Sequence, residues 1–148
     1  MHIQKIMFTT ILLCSSIFSS AENQNVIYPS VMTQADIGGD IFHRPELVTE
    51  QRDSGAVLDV VSLLSTDKKF VSGMYKAPAG RFVIENAYGV DEYMHFLKGS
   101  VKLTSSDGTV TVIKAGDSVT LAKEWTGIWE TEGYTKICGI YCAGAPIE

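Results

Sequence analysis

From Ala56 onward the chain is a succession of short runs rich in β-branched and aromatic residues, broken by a turn signal every few positions. No helical periodicity longer than a turn or two appears in that stretch. Many short strands with closely spaced turns close into a barrel or pack as a sandwich, which makes the expected class all-β. The clearest alternation lies at 92–97: Glu92, Met94 and Phe96 fall on one face, Tyr93, His95 and Leu97 on the other. Val101 and Leu103 then alternate with Lys102 and Thr104, and Ser105-Ser106-Asp107-Gly108 is a hairpin signal. Val110 and Val112 lie on the return strand, Ala115-Gly116-Asp117 turns the chain again, and Val119–Leu121 follows. Gly127–Thr131 and Thr135–Tyr141 are read as two further strands. Upstream, 57–64 reads as a strand and Lys68-Lys69 as a turn. Val71–Ala77 and Phe82–Glu85 read as two strands separated by a turn at Pro78-Ala79-Gly80, and Gly99 reads as a break.

The 148 residues suffice for one domain with a real core and are too few for two. Three segments are expected: a signal peptide at 1–21, an N-terminal arm at 22–55 and the β-barrel at 56–148. Met1 to Lys5 carries one positive charge, and Ile6 to Phe18 is almost wholly apolar or small. Ser19-Ser20-Ala21 then supplies the small residues of a cleavage site before Glu22-Asn23-Gln24. That layout is a secretory signal, and its apolar run is short for a bilayer span. Cleavage is expected after Ala21, giving a periplasmic or secreted protein with no membrane attachment. Pro29, Gly38-Gly39 and Pro45 punctuate the arm, which reads as extended with short strands, and Glu50–Ser54 reads as a polar loop.

Removing residues 1–21 takes the formal charge from −5 to −6, because Lys5 is the only charged side chain there. A net acidic domain lacks the basic footprint of a nucleic-acid binder. His43 and His95 remain of the histidines, Cys138 and Cys142 of the cysteines. If Tyr134–Tyr141 is a strand, residues four apart lie roughly 13 Å apart, beyond bridging distance. The two cysteines therefore read as packed thiols, a bridge requiring a bend near Gly139.

The order of turns is specific. Glu92, six residues, Gly99, a hairpin and then Gly116-Asp117 resemble the cupin superfamily, whose fold is a jelly-roll β-barrel. Gly73-Met74-Tyr75, Pro78-Ala79-Gly80-Arg81-Phe82, Asp91-Glu92, Leu97-Lys98-Gly99, Asp107-Gly108, Gly116-Asp117, Gly127-Ile128-Trp129-Glu130 and Lys136 occur in one order. In that order they resemble the subfamily of ureidoglycine aminohydrolase-like and ethanolamine-utilisation cupins. Two departures stand out. Tyr75 replaces the tryptophan of the first strand. The histidines with which metal-binding cupins flank the glutamate are missing: 85–91 contains none, and Gly127 lies near the third histidine's place.

With two histidines after cleavage, a three-histidine, one-carboxylate centre cannot be assembled. His95 also lies out of phase with Glu92, and alternation turns it away. An oxygen-rich site of Glu92 with Glu85, Asn86 and Tyr88 is the remaining way to hold a divalent metal; no cofactor is expected. A carboxylate inside a barrel needs a partner, and Lys136 and Arg81 are the candidates. Two readings of Glu92 stand: an ion pair holding strands in register, or a ligand-facing acid/base beside a lysine. Of the aromatics Tyr75, Tyr88, Trp125, Trp129 and Tyr134, Trp129 is the favoured pocket wall, whereas Trp125 reads as core or rim.

The expected function is the binding of a small polar metabolite in the barrel, at Tyr75, Arg81, Tyr88, Glu92, Trp129 and Lys136. The alternative is a small-molecule hydrolase or isomerase, with Glu92 and Lys136 as its acid/base groups. A third reading is purely structural, since small jelly rolls often dimerise through sheet edges, and a homodimer is compatible with all three readings.

Overall fold

The computed structural model describes residues 26–144; the expected signal segment at 1–21 lies outside the described residues. One antiparallel sheet of seven strands curls into the jelly-roll barrel. The strands are β1 (Val48–Arg52), β2 (Gly55–Leu64), β3 (Phe70–Ile84), β4 (Asp91–Ser105), β5 (Val110–Lys114), β6 (Ser118–Leu121) and β7 (Gly127–Tyr141). Their order is β1-β2-β3-β7-β4-β5, with β6 paired to β4.

Three of these strands are longer than the sequence reading allows. Pro78-Ala79-Gly80 does not turn the chain, Gly99 does not end a strand, and 127–131 joins 135–141 in one strand. All three features lie at one level of the sheet: Pro78 is opposite Gly133, and Gly99 is opposite Tyr134. The register of β4 against β7 slips there, between Phe96 and Lys98 and again between Gly99 and Lys102. Glycine and proline mark bulges as readily as turns, and a bulge bends a strand without ending it. Pro78 is placed just past the last β2 pairing, Leu58 opposite Lys76, where a missing N–H costs least. Gly99 has φ +73°, and a Cβ there would overlap the carbonyl oxygen of Gly133.

The bend also exchanges the inner and outer faces. On β4 the buried positions run Glu92, Met94, Phe96 and then Val101, Leu103; on β7 they run Trp129, Thr131 and then Tyr134, Lys136, with Thr135 between the last two also buried. Simple alternation carried through the bend would therefore assign the wrong face.

The main core lies inside the barrel around Met94, Phe96, Val101, Leu103, Trp129 and Tyr134. A second cluster, Ile41, Val60 and Met74, packs on the outer face with Ile37, Leu97 and Ile137. The N-terminal arm supplies part of it and is not the extended segment expected. Thr33 caps a helix at Gln34–Gly38, α1, through a reciprocal capping box with Asp36, and a 3-10 turn at Asp40–His43 follows. Asp36 also pairs with Arg44 at 2.8 Å. Five residues are too few for periodicity to register, so the helix left no amphipathic signature. Glu50–Arg52 belong to β1 and pair with β2, so the expected polar loop narrows to Asp53-Ser54. The hairpin at 105–108 and the turn at 115–117 form where expected, with Gly108 and Gly116 at φ 86° and 92°.

Candidate functional site

A cavity of about 550 Å³ opens into the barrel between β2, β3, β7 and the start of β4. Its floor is a chain of three polar side chains. Lys136 Nζ donates to Glu92 Oε1 at 2.6 Å, and the Tyr88 hydroxyl donates to Glu92 Oε2 at 2.5 Å. Glu92 is 2% exposed and Lys136 5%. Both carboxylate oxygens are thus engaged, as a buried charge requires.

Each element contributes for a local reason. Glu92, Met94 and Phe96 share the inward face of β4, and β7 brings Lys136 inward beside Tyr134 and Cys138. Tyr88 sits on the loop between β3 and β4. Two backbone bonds tie that loop down, Tyr88 N to Trp125 O at 3.0 Å and Gly89 N to Lys123 O at 2.8 Å. The Lys136 ammonium faces the rings of Tyr75, Trp129 and Tyr134 at 5.4, 5.6 and 5.8 Å from their centroids. Such an arrangement attracts a cation through the ring quadrupoles.

Burial governs the titration of the wall. It raises the Tyr88 hydroxyl above the usual phenol range, and the charge of Glu92 adds to the shift. Tyr134 is raised the same way. Burial pushes the Cys138 thiol up to about 12, which leaves it protonated and inert. Cys138 and Cys142 are both free thiols.

Of the residues singled out from sequence, Tyr75, Tyr88, Glu92, Trp129 and Lys136 all line this cavity. Arg81 does not. It is exposed and faces Glu130 at 3.6 Å on the outer surface, where Lys102 also meets Glu130 at 2.6 Å. The bend at 78–80 accounts for the difference: Tyr75 and Ala77 face the cavity before it, Phe82 and Ile84 after it, and Arg81 falls between. Trp125 is half-buried at the rim and donates Nε1–H to Ser105 Oγ at 3.2 Å. His95 is turned away from the cavity and bonds Ser118 Oγ at 2.9 Å through Nδ1.

Two charged lining residues escaped the sequence reading, Asp59 and Arg52. Asp59 lies opposite Tyr75 on β2, and burial raises its carboxyl above the ordinary value against the opposing pull of Lys136. The signal was a lone acid inside the apolar run 57–64. Arg52 sits at the mouth with its guanidinium 5.5 Å from the Phe82 ring centroid.

Residues 64–136 match the model of the EutQ-like cupin domain. The chain carries a cupin domain. Solved structures agree on the fold. A Pseudomonas syringae pv. tomato protein of unknown function superposes with a TM-score of 0.57 at 16% identity, over 64% of this chain and 43% of that one. A putative ethanolamine utilization protein EutQ from Salmonella typhimurium gives 0.51 at 15%, over 68% and 98%. Ectoine synthase from P. lautus gives 0.55 at 14%, over 73% and 75%. At these identities the likeness is one of fold alone, and the chain spans less than half the Pseudomonas protein. No curated protein matches the chain.

The cupin fold raises the question of a resident metal, and the donor set here does not fit one. Both oxygens of Glu92 are committed to Lys136 and Tyr88. Glu85 and Asn86, the other oxygen donors considered, are exposed. Among the described residues no group of three or more His, Cys, Asp or Glu side chains converges on a point. The cation beside this cupin glutamate is an internal one, the Lys136 ammonium.

Proposed function

We propose that this cupin binds a small polar metabolite in its barrel, above the Tyr88–Glu92–Lys136 chain and against Tyr75 and Trp129. One observation carries the reading: a buried ion pair, with both carboxylate oxygens hydrogen-bonded, forms the floor of a cavity of about 550 Å³ with aromatic walls. That size and mixture of apolar wall with few polar groups is what small-molecule sites share. A thermal-shift screen with amino, ureido, sugar-acid and polyamine compounds is expected to give a hit. The hit should disappear in Trp129→Leu, which removes the indole while keeping an apolar side chain in its place. A hit that persists unchanged in that variant would refute the site.

A second reading, a hydrolase or isomerase, is favoured by the same hydrogen-bonded chain, because three titratable groups in series can pass a proton to or from a bound molecule. Glu92 is then the acid/base and Lys136 its charge partner. Turnover unaffected by Glu92→Gln would remove this reading.

The proposed setting is periplasmic or extracellular, reached by cleavage after Ala21, and N-terminal sequencing of the exported protein checks it. A homodimer is proposed as the assembly. Exposed Leu64, Phe70 and Tyr141 lie on adjacent strands and give it an apolar surface. Light scattering tests it.

A further inference from the structure

Not every charged group around the cavity is paired. Lys136 and Glu92 neutralise each other at 2.6 Å, and the second oxygen of Glu92 accepts from Tyr88. At the mouth, Arg52 is answered by Glu50, to which it donates at 2.9 and 3.2 Å. Asp59 has no such answer. Its carboxylate lines the cavity, and no side chain or backbone N–H among the described residues hydrogen-bonds it. It stands abreast of Tyr75 and Lys136 on three neighbouring strands, since Asp59 pairs with Tyr75 and Tyr75 with Lys136. Asp59 is thus the one carboxylate lining the cavity that has no hydrogen-bonded partner among the described residues, with Lys136 acting on it only through space.

The walls suit a positive guest. Tyr75 already presents its face to one ammonium, that of Lys136, at 5.4 Å, and Phe82 presents its face to the Arg52 guanidinium at 5.5 Å. Aromatic faces attract cations most strongly where water is excluded. A half-buried carboxylate with no internal partner is costly unless a cation or a proton arrives. Its upward titration shift is in keeping with that cost.

We infer that the barrel selects a small organic cation, an ammonium whose charged nitrogen rests on Asp59 and whose body lies along Tyr75. The inference rests on the binding reading above and narrows it to a ligand class. It also gives Asp59 a recognition role distinct from Glu92, whose valences are filled from within.

The test is a matched set of probes of one length: butylammonium, 1-butanol and butyrate, titrated calorimetrically at low salt into wild type, Asp59→Asn and Trp129→Leu. Butylammonium should bind wild type at least about tenfold more tightly than the neutral and anionic probes. Asp59→Asn should erase that preference. The variant should also melt no lower than wild type without ligand, an outcome that a purely structural role for Asp59 would reverse. Equal or tighter binding of butyrate, no binding of butylammonium, or a preference that survives Asp59→Asn each overturns the inference. Butyrate binding that is lost in Trp129→Leu overturns the cation inference alone and leaves the cavity reading standing. Butylammonium binding that survives both substitutions lies outside the barrel and overturns both.

Discussion

Lys136 on β7 pairs with Glu92 on the neighbouring strand β4, Nζ to Oε1 at 2.6 Å, with both side chains buried. Removing one partner leaves an unanswered charge in a low-dielectric site. Lys136→Met or Glu92→Leu alone is expected to cost about 3–5 kcal/mol of unfolding free energy. The double variant Glu92→Leu/Lys136→Met buries no charge and should recover most of that loss. Urea denaturation of the three variants and wild type gives the cycle. Additive single effects would show that the pair does not act as a unit.

Tyr88 holds the other oxygen of Glu92. Tyr88→Phe keeps the ring in the cavity wall and removes only a hydrogen bond to a charged group. A loss of about 1.5–3 kcal/mol is expected, read as a lowered urea midpoint at unchanged m-value. No change would mean that the phenol does not serve the carboxylate.

The bend across β3, β4 and β7 depends on close backbone contact. Gly99 is at φ +73°, and a Cβ would meet the Gly133 carbonyl. Gly99→Ala should destabilise by about 2–4 kcal/mol, combining a strained backbone with a contact that cannot relax. Gly108→Ala is the control: its φ is +86°, but nothing lies within 4 Å of its Cβ position, so it should cost less in the same thermal melts.

Asp59 sets a pH dependence. Its carboxyl is raised above 3.8 by burial, with Glu92 adding to the shift and Lys136 opposing it. Between 3.8 and the raised value the folded protein holds more protons than the unfolded chain. The Asp59 contribution therefore favours folding at low pH and declines as pH rises through that window. Asp59→Asn should consequently gain stability relative to wild type as pH climbs from about 4 to about 7. Paired chemical melts across that range read the difference, and a gap that shrinks with pH would contradict the assignment.

How much of this was legible beforehand varied with the local pattern. Glu92, Met94 and Phe96 alternate over a bulge-free stretch, so period-two counting placed the carboxylate inward and His95 outward. Lys136 lies on the same side of its bend as Glu92, so both remain in phase and meet. Arg81 lies just past a bend that shifts the count, and the sequence shows Pro78-Ala79-Gly80 without showing whether it turns or merely kinks. Asp59 was hidden for another reason. The apolar run 57–64 has no clean alternation that assigns Asp59 a face, and only its pairing with Tyr75 shows that it faces the cavity. Such pairing depends on contacts between distant segments, which local pattern does not encode.

The most direct measurement is a crystal structure of the protein with a hit from the metabolite screen bound. Ligand density is predicted inside the barrel, in contact with Tyr75 and Trp129 and beside an intact Glu92–Lys136 pair. Density confined to the outer surface, or a Glu92 carboxylate open to bulk solvent and parted from Lys136, would contradict the account.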